Sequence, residues 1–544
     1  MKVWIASVSA MLLATACGVS KEATEALTAM KLQEGASSPL IKYAEKSGSG
    51  NTVTLKNVTV GDPETGTPGF KASSLVLGGL EMSDAGKPVV TTITLKDVAP
   101  AEPLGEGMSL NFSTVGIEGL NPVAGAFFAA GLAGDQAATP PPFEQWGFKK
   151  ISVNGMTFAM DGAAMGAPGS KLNMQLGEFS VSDLKETIFG NMHMDGLKGD
   201  FEMPGEMIMP GAAPVKGAFD FGTADVTNIR GKIYADMFGV SMGAATDPSA
   251  QANMGDKIMA AYTSPLEPGY DSLSWSGMTA EAAGAKLEAS KVSSVATRNA
   301  QGVVTALKSP RATLTFTADS AGGMFGQFAT MGLTMAKFPS PKVELYSESD
   351  FTYDPASDTT RAVNYTFGVT DALDMKVAAG LQGVTKTLAG LLNTMGPTMG
   401  GAMDPLAGLE NPSAQAGDPT AVPAPNLDFV SLLKLVDLDL TVTDKGVVGM
   451  LTALTGQTEE AARADLAKQI LASTEDLVTG AKAEPALANE FTSALAAFVK
   501  QPGSLNIKMK PAAPVALDGA APLTKQSLGF AASFTPSPAA PAPN

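Results

Sequence analysis

From about residue 36 to residue 240 the dominant signal is one-for-one alternation of apolar and polar residues, and this two-residue period constrains the chain more than any other feature. It suits a strand with one dry and one wet face, and it does not suit a helix, whose apolar face recurs every three to four residues. Val53-Thr54-Leu55 and Ile93-Thr94-Leu95 are examples, and the octets VTLKNVTV and ITLKDVAP repeat one pattern at an offset of 40 residues. Further short strands are expected at Leu110–Phe112, Ile151–Val153, Leu172–Leu176, Phe219–Phe221 and Ile233–Ala235. Many have a glycine close behind (Gly78, Gly119, Gly155, Gly177, Gly231). At Gly177 the apolar parity switches, from Leu172, Met174 and Leu176 to Phe179 and Val181. A bulge or tight bend there puts both sets on one face. The stretch reads as an irregular β-repeat; a strand-rich domain with chance similarity is the plainer alternative.

Later segments divide the chain. A helix is expected around 249–263, and strands from Leu273 to about Val377, with Leu314-Thr315-Phe316, Val343-Glu344-Leu345 and Tyr365-Thr366-Phe367 alternating well. Residues 378–403 read as helical at first, and 404–426, rich in proline, as a linker. Val436, Leu438, Leu440 and Val442 then mark a half-buried strand. Thr458 caps a helix with Ala462, Leu466, Ile470, Leu471, Leu477 and Val478 along one stripe. A second helix carries Leu487, Phe491, Leu495 and Phe498, and a strand returns through Leu505, Ile507 and Met509. The expected organisation is a signal segment 1–16, a helix or tether 17–35, and an N-terminal β domain 36–264. A second β segment 265–403 follows, separate from the first sheet or continuous with it. The linker 404–426, an α+β module 427–534 and a disordered tail 535–544 complete it. The expected fold is mainly β with an α+β part: a long curved antiparallel sheet, groove-like or open and barrel-like, closed by a strand-helix-helix-strand module.

Composition narrows the chemistry. With 37 basic and 54 acidic residues the formal charge is −17, which argues against nucleic acid and against anionic lipid headgroups. One histidine (His193) and one cysteine (Cys17) cannot build a His/Cys zinc cluster, a disulfide framework or a Cys–His nucleophile. No Gly-x-Ser-x-Gly elbow accompanies His193, which reads as a strand residue on the wet face. Of the 28 methionines, 13 fall between Met156 and Met259. Met192-His193-Met194 and Met207-Ile208-Met209 place soft thioethers two apart, as copper sites do, but alternation already demands apolar residues there. Asp350, Asp354 and Asp358 could approach a calcium ion, or simply build a turn. No feature selects a carboxylate pair for glycoside hydrolysis or a loop for phosphate. A non-catalytic role without a cofactor is the expectation.

Met1 to Cys17 reads MKVWIASVSAMLLATAC: Lys2, an uncharged run from Val3 to Ala14, then small residues. The run is too short to span a bilayer and has the layout of an export signal. With the only cysteine directly after Ala14-Thr15-Ala16, it resembles a bacterial lipoprotein signal, which implies lipidation of Cys17 and, from Gly18, delivery to the outer membrane on its periplasmic side. Ala14 departs from the usual leucine. The longest later apolar stretch, Val123 to Gly134, is also short of a span. The Tyr353-Asp354-Pro355…Asp358 turn, the strands after it and the segment Leu435–Val515 resemble bacterial envelope proteins of the AsmA-like kind. That resemblance covers about a third of the chain and implies a twisted sheet folded into a groove, with a role in envelope integrity or lipid movement. The leading expectation is therefore an apolar, methionine-lined sheet face that holds lipid or another apolar ligand, lined by Met156, Met174, Leu176, Met192, Met194 and Phe219. A sheet with both faces packed, serving structure or protein interaction with unnamed partners, is the alternative.

Overall fold

In a computed structural model the alternating segments are strands, and every ladder between them is antiparallel. The structure describes residues 18–33, 40–61, 67–135, 138–162, 167–207, 213–234, 262, 264–388, 432–455, 458–480, 483–517 and 522–537. The signal segment with Cys17, most of the expected helix 249–263, Ile208 and Met209, and the linker 404–426 lie outside the described residues. Strand predominates over helix among the described residues, so the class is mainly β with an α+β part. Among the described residues, no helix is long and apolar enough to cross a membrane.

The first strands are β1 (Ile41–Lys42), β2 (Glu45–Ser49), β3 (Thr52–Gly61), β4 (Pro68–Gly78), β5 (Glu81–Met82), β6 (Pro88–Val89), β7 (Thr92–Pro100) and β8 (Met108–Glu118). Then come β9 (Phe148–Asp161), β10 (Lys171–Leu184), β11 (Ile188–Asp195), β12 (Lys198–Met203), β13 (Val215–Asp220), β14 (Ala224–Arg230), β15 (Ser272–Trp275) and β16 (Met278–Ala282). The remainder are β17 (Ala285–Ala289), β18 (Val292–Arg298), β19 (Val304–Ala318), β20 (Lys342–Asp354), β21 (Thr359–Val369), β22 (Leu373–Gln382), β23 (Lys434–Asp444), β24 (Gly503–Met509), β25 (Val515–Ala516) and β26 (Ala531–Pro536). The chain divides into two compact units, Met1–Lys232 with Trp275–Ala282, and Ile233–Ser274 with Ala283–Asn544.

In the first unit β2, β3, β4, β7, β8, β9 and β10 pair in sequence order. The far edge of β10 is shared: Lys171–Gln175 pair with β12, and Glu178–Ser182 with β11. β11 and β12 pair onward with β14 and β13, and β13 pairs with β16. Two lines of left-handed residues cross this sheet at right angles to its strands. The first joins Asn57, Asp97, Gly155 and Gly196, at φ +51°, +49°, +61° and +67°, with Ser73, Ser113 and Gly177 standing between them on the intervening strands. The second, six residues along each strand, joins Gly79, Gly119, Asp183 and Asn228, all at positive φ, on the strands the first line skips. Gly, Asn and Asp are the residues that tolerate this conformation.

Each line flips the alternation without adding a residue. On β3 the buried side chains are Val53 and Leu55, then Val58, and all three enter one core. Leu176 still faces Met156 and Glu178 still faces Asn154, so the parity switch at Gly177 is a bend and involves no bulge. At the start of the sheet the dry face is covered by helix α1 (Lys21–Ala29), where the Ser20 hydroxyl accepts the Ala23 N–H at 3.1 Å as N-cap. Ala23, Ala26, Leu27, Met30 and Leu32 are buried against Val53, Leu55, Leu75 and Leu77. Of the two readings of 17–35, helix or tether, the helix holds for Lys21–Ala29, and its buried face continues into Met30 and Leu32. Helix α2 (Pro122–Leu132), capped by Asn121 and opened by Pro122, packs on β6.

In the second unit β17 and β18 both pair with β19, and β19 to β24 continue in order to β26, with β25 beside β23. Here parity is reset by register shifts, at Ser309/Ala312, Asp350/Phe351, Ala362/Tyr365 and Gly380/Leu381. Helices α3 (Met324–Met335), α4 (Val447–Thr455), α5 (Glu459–Gly480), α6 (Pro485–Lys500) and α7 (Lys525–Leu528) complete it. Leu487 and Ala494 of α6 close on Leu435, Leu505 and Ile507, giving the expected C-terminal module its core.

Four expectations need correction. The module holds three helices between its strands: α4, short and rich in Val and Thr, lacks a helical signal, and Asp444 starts it by accepting the Gly446 and Val447 N–H groups at 2.7 and 2.8 Å. Residues 378–382 continue β22, because pairing with β23 overrides their Ala-rich composition, and helix begins only at 384. Residues 231–234 form a helical turn where a strand from Ile233 was expected; Gly231 lies against the Phe189 and Phe143 rings there. Thr535 and Pro536, expected in a disordered tail, instead pair with Ser504 and Gly503 at the end of β26.

Candidate functional site: an apolar sheet face

Residues directly opposed in a ladder share a face, so the register lists what lies beside what. Across β8 to β14 one row reads Ile117, Ile151, Val181, Met192, Val226, and the next Val115, Val153, Phe179, Met194, Ala224. Beyond the first left-handed line come Met156 and Leu176, then Leu110, Phe158, Met174, Gly199, Phe219, Ala280. The last row reads Met108, Met160, Leu172, Phe201, Gly217, Ala282. No row contains a polar side chain.

The same rows begin on β3, β4 and β7, where Val53, Leu55, Val58, Ala72, Leu75, Leu77 and Val98 are buried at 0–6% exposure. From β9 onward the cover thins. Met156, Phe158, Met160, Leu172, Met174, Leu176, Phe201 and Phe219 are only half-buried. The surface is smoothed by glycine: a Cβ on Gly199 would meet the Phe219 ring, and one on Gly217 the Phe201 ring. Each ring therefore lies across the bare backbone of the next strand.

All six expected lining residues belong to this face. Met156 and Leu176 are directly opposed, Met174 and Phe219 share a row with Gly199 between them, and Met194 and Met192 sit one and two rows to the other side of the left-handed line. Phe158, Met160, Leu172 and Phe201 belong with them and were not singled out. The signal for Phe158 stands in ISVNGMTF (151–158), a third copy of the octet with Gly155 where Asn57 and Asp97 stand.

His193 points to the opposite face, between Met192 and Met194 in the chain but across the sheet from both, so thioethers and imidazole do not converge. Its Nδ1 lies 2.8 Å from Asp225 Oδ1. Ser180, buried, stands across from it on β10 beside Glu178. The Glu178 carboxyl is held below the usual carboxylate range chiefly by the Lys150 ammonium at 2.7 Å, and further by Ser180. The polar groups of this face are hydrogen-bonded to one another.

The three spaced aspartates of the second unit are used separately. Asp350 pairs with Lys308 at 3.4 Å. Asp354 accepts from Ala356 N–H and the Ser357 hydroxyl, which lowers its pKa. Asp358 accepts from the Thr385 hydroxyl at 2.6 Å. Asp354 and Asp358 supply the turn chemistry of the Tyr353-Asp354-Pro355 segment, and among the described residues no group of three His, Cys, Asp or Glu side chains is placed to hold a metal. The most buried carboxylates are structural: Glu267 with Arg298 at 2.7 Å, and Asp444 with Arg463 at 2.8 Å.

Comparison with known proteins adds little to the geometry. A family model described only as "Uncharacterized protein" matches residues 366–530, which run from within β21 to just before β26 and leave the apolar face of the first unit outside the match. No curated protein and no solved structure matches the chain.

Proposed function

We propose that this protein is a non-catalytic component of a bacterial cell envelope that holds lipid, or another apolar ligand, on the sheet face of its first unit. The observation carrying this reading is the run of rows without a polar side chain that leaves its cover beyond β8. Apolar surface in water costs roughly 25 cal/mol per Å². A contiguous patch of half-buried Met and Phe suits a binding surface, and methionine adapts to chains of varied shape. Lipidation at Cys17, with the protein held at the periplasmic side of the outer membrane, belongs to the same reading and rests on the signal-like first segment.

Native mass spectrometry of protein taken from cells, compared with the delipidated form, tests the ligand. Co-purifying lipid that is lost in Met174→Glu and Phe158→Glu variants is the expected result. A clean ligand-free mass, with no uptake of fluorescent lipid, rejects it. That outcome would favour the packed-sheet alternative, which draws its support from the buried rows on β3 to β7. Incorporation of labelled palmitate, absent in Cys17→Ser, tests the anchor separately.

A further inference from the structure

The connection from β8 to β9 carries α2, and between this helix, the end of α1 and the β5–β6 hairpin lies a cleft of about 960 Å³. That is the size of a small-molecule site. Val123, Ala126, Phe127 and Ala130, spaced as one helical face, form an apolar wall in which the alanines leave the room. The same cleft is bordered by Lys31, just past the end of α1, and Lys87, in the hairpin turn. Neither lysine is ion-paired among the described residues, whereas Asp135, which also borders the cleft, has a partner of its own. In a chain of formal charge −17, these two ammonium groups put positive charge at the edge of an apolar wall.

We infer that this cleft, distinct from the sheet face, binds a single-chain amphiphile with an anionic head, its chain along the α2 wall and its head against Lys31 and Lys87. A fatty-acid carboxylate and a monoalkyl phosphate share that chemistry. Trp146 reports on the site, since its ring centroid lies 5.5 Å from that of Phe127.

The test titrates the full chain with dodecanoate, dodecyl phosphate, dodecanol and dodecyltrimethylammonium, following tryptophan fluorescence and heat. Dodecanoate, dodecyl phosphate or both are expected to bind at least tenfold more tightly than the neutral and cationic probes, and which of them leads identifies the source. The fluorescence change should vanish in Trp146→Phe while the heat remains. The charge reversal Lys31→Glu/Lys87→Glu, at exposed positions that leave the fold intact, is expected to weaken binding tenfold or more, and Ala130→Trp to abolish it. Equal affinity for all four heads, or indifference to the charge reversal, overturns the inference. So does loss of dodecanoate binding in Met174→Glu, which would move the amphiphile to the sheet face.

Discussion

The ring of Phe219 lies over Gly199, so that a Cβ built on Gly199 would stand 2.6 Å from the ring's Cζ. Gly199→Val must push the ring off its neighbour's backbone and also move the Asn173 carbonyl, whose oxygen would stand 2.4 Å from the new Cβ. We expect a loss of about 1–3 kcal/mol in denaturant unfolding, the usual cost of overpacking. Part of it should return in the double variant with Phe219→Ala, because the two sites touch.

Asp97 offers a cleaner measure of the left-handed lines. Its φ is +49°, and its carboxylate accepts the Ser73 hydroxyl at 2.6 Å from the next strand. Asp97→Val should destabilise by about 1–2 kcal/mol for the backbone alone, the penalty of a left-handed residue with a crowded Cβ. Asp97→Gly should retain most of the stability. If calorimetry finds the two equal, the line does not depend on residue type.

How far these features can be read before folding differs from one to the next. Alternation alone places Met156, Met174 and Phe219 on dry positions, because a strand leaves a side chain only two directions. It does not reveal that Met174 and Phe219 share a row. That depends on the register across β10, β12 and β13, which the connections between those strands set. The parity switch is visible at Gly177 but hidden at Asn57 and Asp97, where a polar residue in a strand looks like ordinary wet-face chemistry. Ala23 and Ala26 are too small to announce a buried helix face, so the segment holding α1 reads equally as a helix or a tether. Lys31 and Lys87 lie 56 residues apart with no local pattern joining them.

In the second unit, the Arg463 guanidinium is buried with Asp444 at 2.8 Å, and it also donates to Glu459 at 2.9 Å and to the Val499 carbonyl at 3.2 Å. Asp444→Ala removes both the ion partner and the acceptor that starts α4. We expect a loss of about 3–5 kcal/mol, as for other buried pairs broken on one side. Replacing both partners, Asp444→Leu with Arg463→Met, should cost less than the single change, by chemical denaturation.

Glu178 gives the first unit a signed pH response. Its carboxyl titrates lower in the folded chain than in the unfolded one, chiefly through Lys150. The stabilisation is therefore present above the unfolded carboxylate value of about 4.3 and is lost as pH falls through the lower folded value. Lys150→Met should move the acid-unfolding midpoint upward. The shift will be small, because both side chains are a third or more exposed and solvent screens them.

The two left-handed lines take turns, one marking β3, β7 and β9, the other β4, β8 and β10. Any strand thus carries its bend at one of two heights, and its neighbour carries it at the other. A wall built this way can be lengthened or shortened only in pairs of strands. The interval between VTLKNVTV and ITLKDVAP is one such increment, and a descendant chain that gained or lost a single strand would bring mismatched bends side by side.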